Sequence, residues 1–183
     1  MLVLASRSPQ RKAILKQLGV RFEIRVPDIE ELTAGDPESV VYENARRKAR
    51  AARAPGERVL GVDTEVLIDG DLLGKPSGPE EARTYLGRLS GRTHSVLSGL
   101  CLLEGDTERG GVADTHVTFR TLSPELVSWY LETGEWKDRA GAYAIQGHGA
   151  ALVERIDGDY WNVVGLPVPL LLDLAPDLVE PHD

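Results

Sequence analysis

The stretch Ser8-Pro9-Gln10-Arg11-Lys12 places two cations in the first turn of an expected helix. Ser8 is a favourable cap, and Pro9 suits the first helical position, where its missing N–H costs nothing. Free N–H groups and the peptide dipole already make that end positive, so acidic residues normally favour it. Added positive charge is explained most simply by an anion seated there, a phosphate above all; the alternative is a surface helix whose Arg11 and Lys12 merely reach water. Asp63 is expected where the apolar strand of residues 58–62 gives way to a loop, a usual place for ligand contacts in α/β sheets. A carboxylate there can activate water as a general base or hold a metal; otherwise it bonds its own backbone in a turn. Lys75, between Gly74 and Pro76, would offer phosphate a point charge, with Gly74 letting the backbone approach closely. No Gly-x-x-x-x-Gly-Lys-Ser/Thr loop is present.

Other side chains are ambiguous by themselves. Glu30 and Glu31 face opposite ways on an extended segment, so at most one points into a given cleft; a solvated acidic loop accounts for both. Lys48 shares a helical stripe with Val41, Ala45 and Ala52, so it either snorkels to the surface or reaches into a cleft. Gln146 lies in a glycine-rich stretch, and its amide can donate and accept together, which suits reading a base edge. The four histidines, His94, His116, His148 and His182, lack zinc-ligand spacing, and His94 reads as a satisfied structural histidine. The single cysteine, Cys101, sits in an apolar run and reads as a buried strand thiol.

The elements that must position these residues alternate βα steps with hairpins. Strands are expected at residues 2–5, 22–26, 58–62, 93–103, 113–119 and 150–156, with a hairpin over 66–73 around Asp69-Gly70. Helices are expected to open at Pro9, after Asp36, at Pro79, after Ser123 and at residues 165–167. A polar loop containing Gly105, Gly110 and Gly111 should join two paired strands, Tyr160 and Trp161 should pack under the last helix, and residues 180–183 should fray. This order predicts an α/β (mixed α+β) fold with an elongated mixed sheet flanked by helices, in one domain spanning residues 1–183 without a separate linker. The net charge of −8 argues against nucleic-acid binding, although an acidic chain can still gather basic side chains in one cleft or hold a divalent cation. No apolar run approaches the ~20 residues that span a bilayer, so no membrane partner is expected. No signal peptide is expected either, and a reduced, cytoplasmic setting fits.

Taken together, the segments resemble the Maf family of nucleoside triphosphate pyrophosphatases. The resemblance runs through residues 4–11, Asp28-Ile-Glu-Glu31, Lys48-Ala49, Gly61-Val-Asp-Thr64, Leu73-Gly-Lys-Pro76, residues 89–96, 138–147 and 157–160, and Val164-Gly-Leu-Pro167. It implies two lobes around a central cleft, often in a homodimer. It also implies hydrolysis of a nucleoside triphosphate to monophosphate and pyrophosphate with a divalent metal, magnesium or manganese. Carried over, Asp63 is the general base and Lys75 a catalytic cation. Ser6, Ser8 and Arg11 contact phosphate, Lys48 and Glu31 line the cleft, and Glu31 and Asp63 hold the metal. Gln10, Thr64 and Gln146 stand at three positions that separate branches. The branch acting on dTTP and UTP typically has Arg, Thr and Gln there; the branch acting on 7-methyl-GTP has an aromatic residue, Gln and Glu. Two of the three match the dTTP/UTP branch, and Gln10 departs from it. A second implied role is that of a nucleotide-binding regulator of septum formation; an intact Asp63 favours the enzyme, because binding alone needs no base.

Overall fold

The computed structural model describes residues 1–179, so the expected fraying of residues 180–183 lies outside the described residues. The described residues form seven strands, β1 (Leu2–Ala5), β2 (Phe22–Ile24), β3 (Arg58–Ile68), β4 (Asp71–Leu73), β5 (Thr93–Glu104), β6 (Thr107–Phe119) and β7 (Val153–Asp157), in one mixed sheet of order β2-β1-β3-β5-β6-β7, with β4 paired to β3. By its internal contacts the chain divides into two units: Met1–Thr64, Ser98–Ala113 and residues 165–179, and Glu65–Leu97 with Asp114–Val164.

In the first unit, β1 (Leu2–Ala5) is buried at every residue and lies parallel to both β2 (Phe22–Ile24) and β3 (Arg58–Ile68). A strand covered on both faces reads as a continuous apolar run, as Leu2-Val-Leu-Ala5 does. Helix α1 (Pro9–Gln17) is capped by Ser8, whose hydroxyl accepts from the Arg11 N–H at 3.4 Å. Helix α2 (Pro37–Ala52) is capped by Asp36, which accepts from the Ser39 N–H at 3.0 Å. Its Ala45, Ala49 and Ala52 form a buried cluster with Val3, Val59 and Cys101. Two glycines let this helix lie flush on the sheet. A Cβ on Gly61 would collide with the Ala45 carbonyl oxygen, and one on Gly99 with that of Val41. Helix α6 (Val168–Leu174) completes this unit.

In the second unit, β4 (Asp71–Leu73) folds back on the end of β3 with Val66 opposite Leu73. Both turn residues have positive φ, 54° at Asp69 and 82° at Gly70, the requirement of a tight hairpin. Helices α3 (Pro79–Leu89) and α4 (Pro124–Glu132) bury Leu86, Leu89 and Tyr130 against Phe119 and Tyr143. Strand β7 (Val153–Asp157) pairs antiparallel with β6 (Thr107–Phe119).

The structure corrects several sequence expectations. Asp63 does not end a strand: β3 continues to Ile68. The misleading cue is a change in burial, unbroken over residues 59–63 and alternating beyond, where β3 goes on as the first arm of the hairpin. The polar loop is only Gly105-Asp106, between β5 (Thr93–Glu104) and β6. Gly110 lies within β6, where a Cβ would collide with the Leu100 carbonyl oxygen, so it marks close backbone approach. The second strand stops at Ile24, and the seventh begins at Val153 because His148–Ala151 forms a 3-10 turn. Tyr160 opens a short helix, α5 (Tyr160–Val164), with 39% exposure instead of packing under the last helix.

Candidate active site

Asn44 and Lys48 stand one turn apart on α2 and share a face. Because Gly61 brings α2 onto β3, both reach Asp63, two residues along the strand. Asp63 is only 4% exposed, yet each carboxylate oxygen has a donor: Lys48 Nζ lies 2.7 Å from Oδ1, and Asn44 Nδ2 donates to Oδ2 at 3.0 Å. A buried carboxylate persists when it is paired and hydrogen-bonded in this way. Lys48 Nζ also lies 2.9 Å from Glu31 Oε1, so one ammonium bridges two carboxylates. The choice left open by the helical stripe is resolved in favour of the inward lysine, and Glu31 is the glutamate that joins it.

A second network ties the β1–α1 turn to the residues flanking Asp63. Arg11 is buried, and its guanidinium donates to Ser6 Oγ (2.9 Å), the Val62 carbonyl (3.1 Å), Thr64 Oγ1 (3.0 Å) and the Gly165 carbonyl (2.9 Å). Thr64 Oγ1 also meets the buried Ser98 hydroxyl at 2.8 Å. Ser8 Oγ donates to Gln10 Oε1 at 3.0 Å, and the Ser8 N–H donates to Ser6 Oγ at 3.2 Å. Ser6, Ser8, Gln10, Arg11 and Thr64 therefore form one connected set. Asp63 turns toward α2, whereas the next residue, Thr64, turns toward Arg11 of α1, as strand alternation requires.

Lys75 and Gln146 belong to the second unit. The Gly74 carbonyl accepts from the Gly141 N–H at 3.2 Å, which joins the end of β4 to the segment leading toward Gln146. That segment holds two non-glycine residues at positive φ, Asp138 (57°) and Ala142 (63°). Gln146 is exposed, and the chain beyond it is gripped by Glu135, whose carboxylate accepts from the His148 N–H at 2.9 Å and the Gly149 N–H at 3.2 Å. Burial opposes ionisation of Glu135, but these bonds and that with the His148 ring outweigh it and hold the carboxyl below its usual range.

Burial pushes the Cys101 thiol up to about 12, in keeping with a structural strand residue. His94 bonds Tyr143 Oη through Nε2 at 2.8 Å, and burial pulls its ring down to about 4. Among the described residues, no group of three or more His, Cys, Asp or Glu side chains is placed to hold a metal ion, and no helix is long and apolar enough to cross a membrane. Sequence reasoning missed Asn44, Ser98 and Glu135. Asn44 alone left a signal, a polar residue four positions before Lys48 on the inward face of α2.

Comparison with known proteins agrees with the resemblance. The family described as Maf-like protein matches residues 1–178. A protein of Symbiobacterium thermophilum named dTTP/UTP pyrophosphatase is 52% identical over 171 residues, covering 91% of this chain and 88% of its own. Proteins of the same name from Pyrococcus abyssi and Myxococcus xanthus are 46% and 50% identical, covering 95% and 92% of this chain and 94% and 87% of theirs. On this match, which runs through every segment that builds the Asp63 and Arg11 networks, the chain belongs to the Maf-like protein family.

Proposed function

We propose that this protein is a nucleoside triphosphate pyrophosphatase that converts dTTP and UTP to the monophosphate and pyrophosphate. The observation that carries the reading is the convergence of Asp63 and Glu31 on one cation position beside a buried strand, taken here by Lys48 Nζ. The names of the relatives support the substrate class. Two oxygen donors converging on one cation fit magnesium or manganese, which bind through one or two carboxylates together with water and substrate phosphates. Glu31 and Asp63 would hold that ion, which when bound draws charge from the phosphoryl oxygens. Asp63 takes a proton from water as the water oxygen bonds to the α-phosphorus. The bond from that phosphorus to the oxygen bridging it to the β-phosphorus breaks, and pyrophosphate leaves with the electron pair. Lys48 stabilises ionised Asp63, while Lys75 and the Ser6, Ser8 and Arg11 set offer donors to phosphate oxygens. Thr64 and Gln146 read the base. A cytoplasmic homodimer accompanies this reading, with the buried single thiol of Cys101 consistent with a reducing setting.

The test is pyrophosphate release from UTP, dTTP, CTP and 7-methyl-GTP, with and without EDTA. Pyrophosphate from UTP and dTTP, abolished by EDTA, is expected; orthophosphate as the sole first product would remove the reaction, and 7-methyl-GTP as the best substrate would remove the branch assignment. Gln10 lacks the charge and bidentate fork of the arginine usual in that branch. Gln10→Arg should narrow the range of bases accepted, and unchanged kcat/KM ratios would show that Gln10 does not read substrate.

A further inference from the structure

We infer that Asn44 is a positioning residue for this reaction: its side-chain amide sets the Asp63 carboxylate and docks the Glu31-bearing segment beside it. The inference rests on the reading of Asp63 as the general base. Asn44 is fully buried. Its Oδ1 accepts from the Leu32 N–H at 2.7 Å, and its Nδ2 donates to the Leu32 carbonyl at 2.9 Å and to Asp63 Oδ2 at 3.0 Å. Both amide hydrogens are used, so the amide orientation is determined: reversing it would set oxygen against a carboxylate and a carbonyl.

The geometry solves a positioning problem. Residues 25–33 adopt neither helix nor strand, yet Glu31 must arrive beside a side chain on β3. Asn44 mimics a strand partner by pairing with both polar groups of Leu32, one residue beyond Glu31. Arg47 and Lys48, three and four residues further along α2, hold the Glu30 carbonyl and the Glu31 carboxylate. The same helix face that receives the segment therefore also receives Asp63. By engaging Oδ2, Asn44 leaves Oδ1 as the oxygen that faces Lys48, so the two carboxylates point at one cation. Removal of a residue that orients a ligating or reacting group typically costs about 10–100-fold in activity.

Two variants and one exchange measurement test this. In the wild-type protein the Leu32 amide should exchange slowly for a residue outside helix or strand. Asn44→Ala should expose that amide and lower kcat by about 10–100-fold, with KM for UTP changed far less. Asn44→Asp keeps an acceptor for the Leu32 N–H but sets a carboxylate oxygen against Asp63 Oδ2. It should retain much of the Leu32 protection and still lose kcat. Rapid exchange of Leu32 in the wild-type protein would overturn the inference. So would a folded Asn44→Ala or Asn44→Asp protein with wild-type kcat, even at a lowered Tm, because the residue would then serve stability alone. If Asn44→Ala fails to fold, the near-isosteric aspartate and the wild-type exchange rate decide. If the wild-type protein releases no pyrophosphate from any nucleotide, the proposed reaction falls separately, and Leu32 exchange alone then upholds or overturns the docking role.

Discussion

The two units bury polar side chains in opposite ways. In the first, buried Asp63 is bonded by buried Asn44 and paired with Lys48, a partly buried lysine that also reaches the exposed Glu31. In the second, the buried polar groups near the core are neutral: His94 bonds Tyr143 between edge-on aromatic rings, and Tyr130 Oη accepts from the Ala144 N–H at 3.0 Å. Burial drives both tyrosines well above their ordinary pKa and pulls His94 down to about 4, so the second unit uses these groups uncharged. The difference teaches that a buried polar group is accommodated by the partners it is given. In the first unit a buried carboxylate is held by a lysine and an amide at hydrogen-bond distance, whereas in the second an imidazole sits among aromatic rings, where burial disfavours its protonated form.

The sharpest way to break this contrast is to remove the buried carboxylate. Asp63→Asn changes little volume and should keep the fold, while the rate falls by roughly 10²–10⁴-fold, the usual contribution of a general base. A near-wild-type rate in the folded variant would take Asp63 out of the reaction. Next in size, Gly61→Ala acts on the packing that makes the ion-paired set possible. Its Cβ meets the main chain of α2 at Ala45, so the helix must move, at a cost of about 3 kcal/mol. Because Asn44 and Lys48 ride on that helix, turnover should fall in the fraction that remains folded. Full turnover with an unchanged Tm would show that the close approach is not needed.

The smallest effect belongs to the neutral unit. His94 titrates near 4 in the fold against an ordinary 6.5, so the unfolded chain binds more protons between these values. The stability this gives is complete above pH 6.5 and is lost as pH falls toward 4, amounting to at most about 3 kcal/mol. His94→Gln should flatten the fall of Tm over that interval. An unchanged acid slope would mean that other groups set it.

Much of this was legible in the chain. The caps at Ser8, Asp36 and Ser123 and the Asp69-Gly70 turn were readable because each is a local bargain between one side chain and the nearest backbone. The mixed α/β class followed from their order. Less legible was anything set by two distant segments meeting. Gly110 looked like a loop residue because its reason for being glycine is Leu100 and Tyr42, not its neighbours in sequence. Lys48 stayed ambiguous on its stripe until β3 supplied Asp63. Ser98 gave no sign at all, since a serine in an apolar strand becomes informative only when Thr64 lies 2.8 Å away.

The solitary thiol of Cys101 has a practical consequence. It is wholly inside the cluster beneath α2, the same layer that carries Asn44 and Lys48. A thiol reagent can reach it only when that layer opens, so the rate of modification is a clock for the opening. No label or engineered cysteine is needed, and slowing of the clock by nucleotide would report ligand binding without any turnover.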